Sequence, residues 1–308
     1  MSFNDNVTLD TSQVSSGGGG GGGAPGGMVV GGGIGGIIIL ILTLIFNGVF
    51  GGSGDPTGGT GSIDSSQVSA AGDQSATAFQ QCKTGADANR DTTCRIIGTV
   101  NSVQAYWDSE LPRYGKKWQP TKTVIYSGTT QSACGTASNQ VGPFYCPLDQ
   151  KVYIDASFFK ILEDQFGSSG GPLAQEYVVA HEYGHALQDQ LGLLGQAQKD
   201  PQGANSGAVR TELMADCLGG VWAHNATTAK DADTGTPFLK PLSTQDIKDA
   251  LSAASAVGDD RIQQATQGRV NPESWTHGSA EARQRWFLQG FTTGDLNQCD
   301  TFSAATVE

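Results

Sequence analysis

The pattern of hydrophobic positions divides the chain into one long apolar run near its beginning and a later series of periodic segments. The run covers residues 28–50 and contains no charged side chain. As an α-helix it would be about 34 Å long, enough to cross a hydrocarbon core of about 30 Å. It therefore predicts a transmembrane helix, with a buried core helix or a cleaved signal peptide as alternatives. The glycine-rich polar flanks predict a disordered cytoplasmic segment at 1–27 and a flexible linker at 51–75.

From residue 76 to residue 308 the apolar spacing is that of one folded domain. Apolar residues recur at helical spacing in five segments, about 90–110, 172–191, 208–225, 243–257 and 279–288. Ser243 with Asp246 predicts a helix N-terminus, and Gly290 is expected to stop the last helix. Short strand-like segments lie at 123–126, 141–146 and 151–155. The pattern predicts an α+β domain that is mostly helical and contains a small β-sheet.

Charge and cysteine content change the picture by excluding one class of partner and indicating a compartment. The net charge of −12 excludes a basic nucleic-acid surface. Six cysteines without a C-x-x-C motif favour disulfides over a cysteine zinc site, and disulfides are typical of exported domains. We expect an extracytoplasmic domain with its N-terminus inside, although no Lys or Arg flanks the apolar run to set the orientation. The spacing favours two local pairs 12 residues apart, Cys82 with Cys94 and Cys134 with Cys146, which leaves Cys217 and Cys299 for each other.

The candidate chemistry is concentrated in the segment His181-Glu-Tyr-Gly-His185. Two histidines four residues apart leave one helix face and can occupy two corners of a zinc tetrahedron. Glu182 lies about 100° further round, where it can reach a water on the metal and act as a general base. Gly184 costs about 1 kcal/mol inside a helix, which indicates a close neighbour to the backbone. The alternative is a pair of structural helix histidines.

A catalytic zinc needs a third protein ligand, and the chain offers few candidates. Glu212 and Asp216 are four residues apart, so they share a helix face. One can bind the metal while the other accepts the N–H of a ligating imidazole; a solvated acidic pair is the alternative. His277 precedes a predicted helix, where it can donate a hydrogen bond to an oxyanion. A surface-loop histidine is the other interpretation of that residue.

Together these motifs resemble the bacterial putative neutral zinc metallopeptidase family and, more widely, thermolysin-like gluzincin peptidases. The resemblance implies a zincin-like fold with zinc bound by His181, His185 and Glu212, and with Asp216 orienting a histidine, His181. It implies a membrane-anchored enzyme that hydrolyses peptide bonds of a peptide or protein substrate. A catalytically inactive anchored binding module is the alternative, and a di-iron bundle would need a second Glu-x-x-His that the chain lacks. The segments that carry the resemblance are His181–His185, Arg210–Cys217, Val221–His224, Thr276–Ser279, Arg285–Phe287 and Gly290–Phe291.

Overall fold

The helical segments predicted from spacing are present in the structure, a computed structural model that describes residues 2–17, 78–139 and 141–308. The five predicted helices correspond to Thr92–Glu110, Pro172–Gln190, Gly207–Asn225, Thr244–Ala256 and Ala280–Thr293. The Ser243–Asp246 capping box at the start of the fourth is confirmed. Four shorter helices have no counterpart in the prediction. The α-helices are α1 Gly85–Ala88, α2 Thr92–Glu110, α3 Phe158–Asp164, α4 Pro172–Gln190, α5 Gly195–Lys199, α6 Gly207–Asn225, α7 Thr244–Ala256, α8 Asp259–Gln267 and α9 Ala280–Thr293.

The strands are β1 Val14–Gly17, β2 Lys122–Tyr126, β3 Thr129–Ser132, β4 Gly135–Ser138, β5 Phe144–Cys146 and β6 Lys151–Asp155. The three predicted strands correspond to β2, β5 and β6 and belong to one four-stranded sheet with the order β1-β2-β6-β5. Strands β1, β2 and β6 are parallel, whereas β5 is antiparallel to β6. A separate hairpin of β3 and β4 was not predicted. Its residues are mostly Thr, Ser, Gln and Gly, which give no apolar alternation.

Residues 2–17 pack against the domain, so the prediction of a disordered segment at 1–27 is wrong for this part of it. Phe3 and Val7 are completely buried, and Leu9 and Val14 are nearly so. These four apolar residues follow neither a helical nor an alternating period, which is why the sequence pattern missed them. The segment ends in β1, which forms one edge of the sheet.

The close packing of α6 and α9 corrects the prediction for Gly290. The helix continues to Thr293, and Gly294 ends it in the left-handed conformation that glycine adopts readily. A Cβ on Gly290 would overlap the backbone carbonyl of Cys217 in α6. Gly290 is therefore a crossing point of two helices rather than a helix stop.

All three predicted disulfides are confirmed, at Cys82–Cys94, Cys134–Cys146 and Cys217–Cys299. Within residues 2–17, 78–139 and 141–308, no helix combines the length and hydropathy of a membrane span. The predicted transmembrane helix at 28–50 and the linker at 51–75 lie outside the described residues, as does the boundary at residue 76.

Candidate metal centre

Two adjacent helices, α4 and α6, carry the predicted metal ligands. Gly184 lets them approach closely, because a Cβ there would lie 3.0 Å from the Cα of Ala215. The close neighbour that this glycine indicated is therefore the backbone of α6. Tyr183 fixes α4 to the sheet region, since its hydroxyl lies 3.0 Å from Thr123 Oγ1 and 2.9 Å from the carbonyl of Thr121. Contacts with α6 on one side and with the sheet region on the other therefore fix the position of α4.

The structure brings the buried His181 and Glu212 and the partly buried His185 into one group whose ligand atoms all lie within 4.8 Å of one another. His181 Nε2 lies 3.2 Å from Glu212 Oε2, and His185 Nε2 lies 3.4 Å from Glu212 Oε1. Zinc bonds of about 2.0–2.1 Å give a tetrahedron with edges of about 3.3 Å. The spacing and the donor set of two imidazoles and one carboxylate therefore fit a zinc ion.

Asp216 orients His181 from the side away from the ligand atoms. Its Oδ1 lies 2.8 Å from His181 Nδ1, so the Nδ1–H can donate to the carboxylate and leave Nε2 for a metal. The hydroxyl of Tyr177 donates to the same oxygen. Arg283, from α9, donates to both carboxylate oxygens at 2.8 and 2.9 Å. Asp216 is completely buried, and these three donors satisfy it.

His185 is oriented in the same way by an uncharged residue. Its Nδ1 lies 2.8 Å from Gln188 Oε1, and Gln188 Nε2 donates to the carbonyl of Thr211 at 2.7 Å. The amide is thus fixed by α6 with its oxygen toward the imidazole. His185 then holds its proton on Nδ1 and presents Nε2 to the ligand group.

The buried charges of the centre shift one another strongly. Burial alone would lower the pKa of His181, but Asp216 and Glu212 outweigh burial and raise it to about 10. Burial alone would raise the pKa of the Asp216 and Glu212 carboxyl groups. Instead, Arg283 and His181 lower that of Asp216 to about 2, and His185 and His277 lower that of Glu212 well below its usual range. Glu212 is therefore ionised, as a metal ligand must be.

A cavity of about 440 Å³ opens onto the ligand group, and we call it the cleft. Glu182 lines it beside His181 and His185 but is not one of the ligand group. Burial raises the pKa of Glu182, although the neighbouring histidines lower it in part. Much of the remaining wall is apolar: Val141, Phe144, Phe158, Phe166, Leu194 and Val257.

His277 also lines the cleft and is buried, which excludes the surface-loop interpretation. Its Nδ1 lies 2.9 Å from Thr276 Oγ1 and 3.3 Å from Asp259 Oδ1. Asp259 Oδ2 accepts the backbone N–H groups of Thr276, His277 and Gly278, which fixes the loop. Burial alone would lower the pKa of His277, but Glu212 and Asp259 raise it.

Sequence reasoning missed four residues that support the centre: Tyr177, Gln188, Asp259 and Arg283. Two of them had a usable signal, because Tyr177 precedes His181 by four residues and Gln188 follows His185 by three, so each shares a helix face with a candidate ligand. Asp259 gave no such signal, since it lies 18 residues from His277 and meets it only through the fold.

Comparison with known proteins agrees with this geometry. The model of the family described as "Putative neutral zinc metallopeptidase" matches residues 2–302. The uncharacterized protein Rv2575 of Mycobacterium tuberculosis is 59% identical over 227 residues, which are 74% of this chain and 76% of that protein. The uncharacterized protein YpfJ of Escherichia coli is 40% identical over 229 residues, 72% of this chain and 76% of that protein. No solved structure matches. The chain belongs to the putative neutral zinc metallopeptidase family.

Proposed function

We propose that the protein is a zinc-dependent peptidase in which His181, His185 and Glu212 bind the zinc ion. The observation that carries the proposal is the position of Glu182. It shares the cleft with the ligand group, yet it is not a ligand itself. An inactive binding module of the same fold has no use for a buried carboxylate at that place, whereas hydrolysis needs a base there.

Glu182 and His277 of the cleft then each have a chemical task. A bound zinc ion would polarise the scissile carbonyl and make a water molecule more acidic. Glu182 takes the proton of the attacking water and passes it to the leaving amine; its raised pKa suits both steps. His277, held by Asp259, donates a hydrogen bond to the oxygen that becomes negative on the scissile carbonyl.

The sheet supplies an edge on which an extended peptide can align. Strands β2 and β6 are each paired on both sides, so neither offers a free edge to a peptide. Strand β5 is paired only with β6 among the described strands, and Phe144 and Tyr145 of β5 line the cleft. The substrate therefore adds to β5 by main-chain hydrogen bonds. The apolar walls favour a substrate with a large apolar side chain beside the scissile bond.

The test compares the purified wild-type chain with Glu182→Gln on one mixed peptide library, with cleavage sites read by mass spectrometry. We expect the variant to bind about one zinc per chain while hydrolysis falls at least about 100-fold, the usual cost of losing a general base. Glu281→Gln is the matched control, since it makes the same change at an exposed position in α9. Retained hydrolysis in Glu182→Gln would refute its role. A zinc-loaded wild-type chain that cleaves nothing would favour the inactive binding module.

A further inference from the structure

The segment 2–17 contacts three separate parts of the main domain. Its backbone bonds to the region around α1, where Leu9 N donates to the carbonyl of Lys83 at 3.0 Å. It bonds to the loop before α7, where Asn4 N donates to the carbonyl of Phe238 at 2.9 Å. It ends in β1, whose four residues pair with β2 in parallel register. A tail that merely rests on a surface has no such set of specific backbone partners.

Several of these contacts are reciprocal, which is typical of a built interface. Phe3 N donates to Asn89 Oδ1 at 2.8 Å, and Asn89 Nδ2 donates back to the carbonyl of Phe3 at 3.0 Å. Asn101 exchanges the same two kinds of bond with Asp10 at 2.9 and 3.0 Å. In each pair an asparagine side chain of the domain replaces the partner strand that the extended backbone lacks.

The domain also has a recess shaped for the segment. A Cβ on Gly98 in α2 would lie 2.7 Å from the ring of Phe3 and 3.3 Å from Leu9. Phe3, Val7, Leu9 and Val14 all belong to the main hydrophobic core rather than to a satellite cluster. Without them the core would be open along α2.

We propose that residues 2–17 are an integral part of the folded domain and lie on the same side of any membrane as residues 78–308. Groups joined by hydrogen bonds of about 3 Å cannot be separated by a hydrocarbon core of about 30 Å. A single crossing by residues 28–50 would separate them, and residues 51–77 contain no second apolar run to bring the chain back. The proposal differs from the topology expected from the sequence, in which the two parts lie on opposite sides of a membrane. This proposal does not depend on the peptidase function.

The first test detects docking in the full-length chain inside cells. Thr8 and Thr84 form an antiparallel bridge flanked by two backbone hydrogen bonds, a pair whose Cα atoms lie close enough for a disulfide. After brief oxidation of intact cells, we expect Thr8→Cys with Thr84→Cys to leave no free thiol. The control, Ser12→Cys with Thr84→Cys, should keep both thiols. Two free thiols in both variants would overturn the proposal.

The second test does not require the bridge to form. Single cysteines replace Ser12 in the segment and Glu273 in the main domain, both exposed positions. A membrane-impermeant maleimide is added to one sample of intact cells and to a second sample after the cells have been lysed. We expect both cysteines to show the same accessibility, either both before lysis or both only after it. Opposite accessibility would overturn the proposal even if the cross-linked pair failed to fold.

Discussion

Glu176 of α4 is a completely buried carboxyl group whose two oxygens accept no hydrogen bond from any described residue. Burial raises its pKa from 4.5 to about 7, and the nearby Arg95 offsets this only in part. Because the folded-state pKa exceeds the unfolded one, the group favours folding most below pH 4.5. That contribution is lost as the pH rises through 7. Its neighbours on the same helix face, Leu173, Val179 and Ala180, are buried too, so the carboxyl group lies on an apolar face.

The perturbation is Glu176→Gln, which keeps the shape of the side chain and removes its charge. The pKa difference between 4.5 and about 7, at about 1.4 kcal/mol per unit, corresponds to about 3 kcal/mol. We expect the stability of the variant relative to wild type to increase by that amount between pH 4.5 and pH 8. At the acid end the two proteins should differ only by the cost of burying the amide.

The assay is urea unfolding followed by tryptophan fluorescence, with chelator present so that metal binding does not contribute. Glu273→Gln is the control, because it removes the same charge from an exposed position. The stability difference between Glu273→Gln and wild type should not change with pH in the way expected for Glu176→Gln. A difference between Glu176→Gln and wild type that stays constant within about 0.5 kcal/mol from pH 4.5 to pH 8 would refute the reasoning.

The remaining predictions concern the metal centre and its support. Glu212→Ala should lose zinc on dialysis against a mild chelator, whereas Asp216→Asn should weaken binding only about 10- to 100-fold; the reverse order of zinc content would exchange the two roles. His277→Ala should keep zinc and lower kcat/KM about 100-fold, and unchanged kinetics would remove it from the reaction. Gly290→Ala should cost about 2–3 kcal/mol in urea unfolding, because its methyl group overlaps the backbone of α6. An unchanged midpoint would show that the helices can separate freely.

How far the centre could be predicted from the sequence depended on whether the partners share an element. His181 and His185 share one helix, and Glu212 and Asp216 share another, so helical geometry alone predicted which side chains point together. Arg283 satisfies Asp216 from a third helix, and no local spacing relates residues 67 positions apart. The two pairs were therefore predictable from spacing, the choice of Glu212 over Asp216 came from the family resemblance, and the supports Arg283 and Asp259 required the fold.

The errors in the fold have the same physical origin. Gly290 and Gly294 are both plausible stops for α9, and only the contact with α6 shows that the first is a crossing point. Residues 2–17 bury apolar side chains at irregular intervals, which periodicity cannot detect. In both cases the deciding interaction lies on a distant part of the chain.

The balance of buried charge connects the support of the centre with its ability to bind a cation. Glu182, Glu212 and Asp216 bring three carboxyl groups together, and Arg283 is the permanent cation among them. Without a metal, this excess of negative charge is balanced by protons. For this reason the pKa of His181 rises to about 10 and that of His277 also rises. A divalent cation balances the same negative charge, and its binding requires His181 Nε2 to lose its proton. Since Asp216 is already paired with Arg283, it can hold the Nδ1–H of His181 without competing for the metal. The pairing with Arg283 of α9 therefore explains why, of the two carboxylates in α6, Asp216 orients His181 while Glu212 lies in the ligand group.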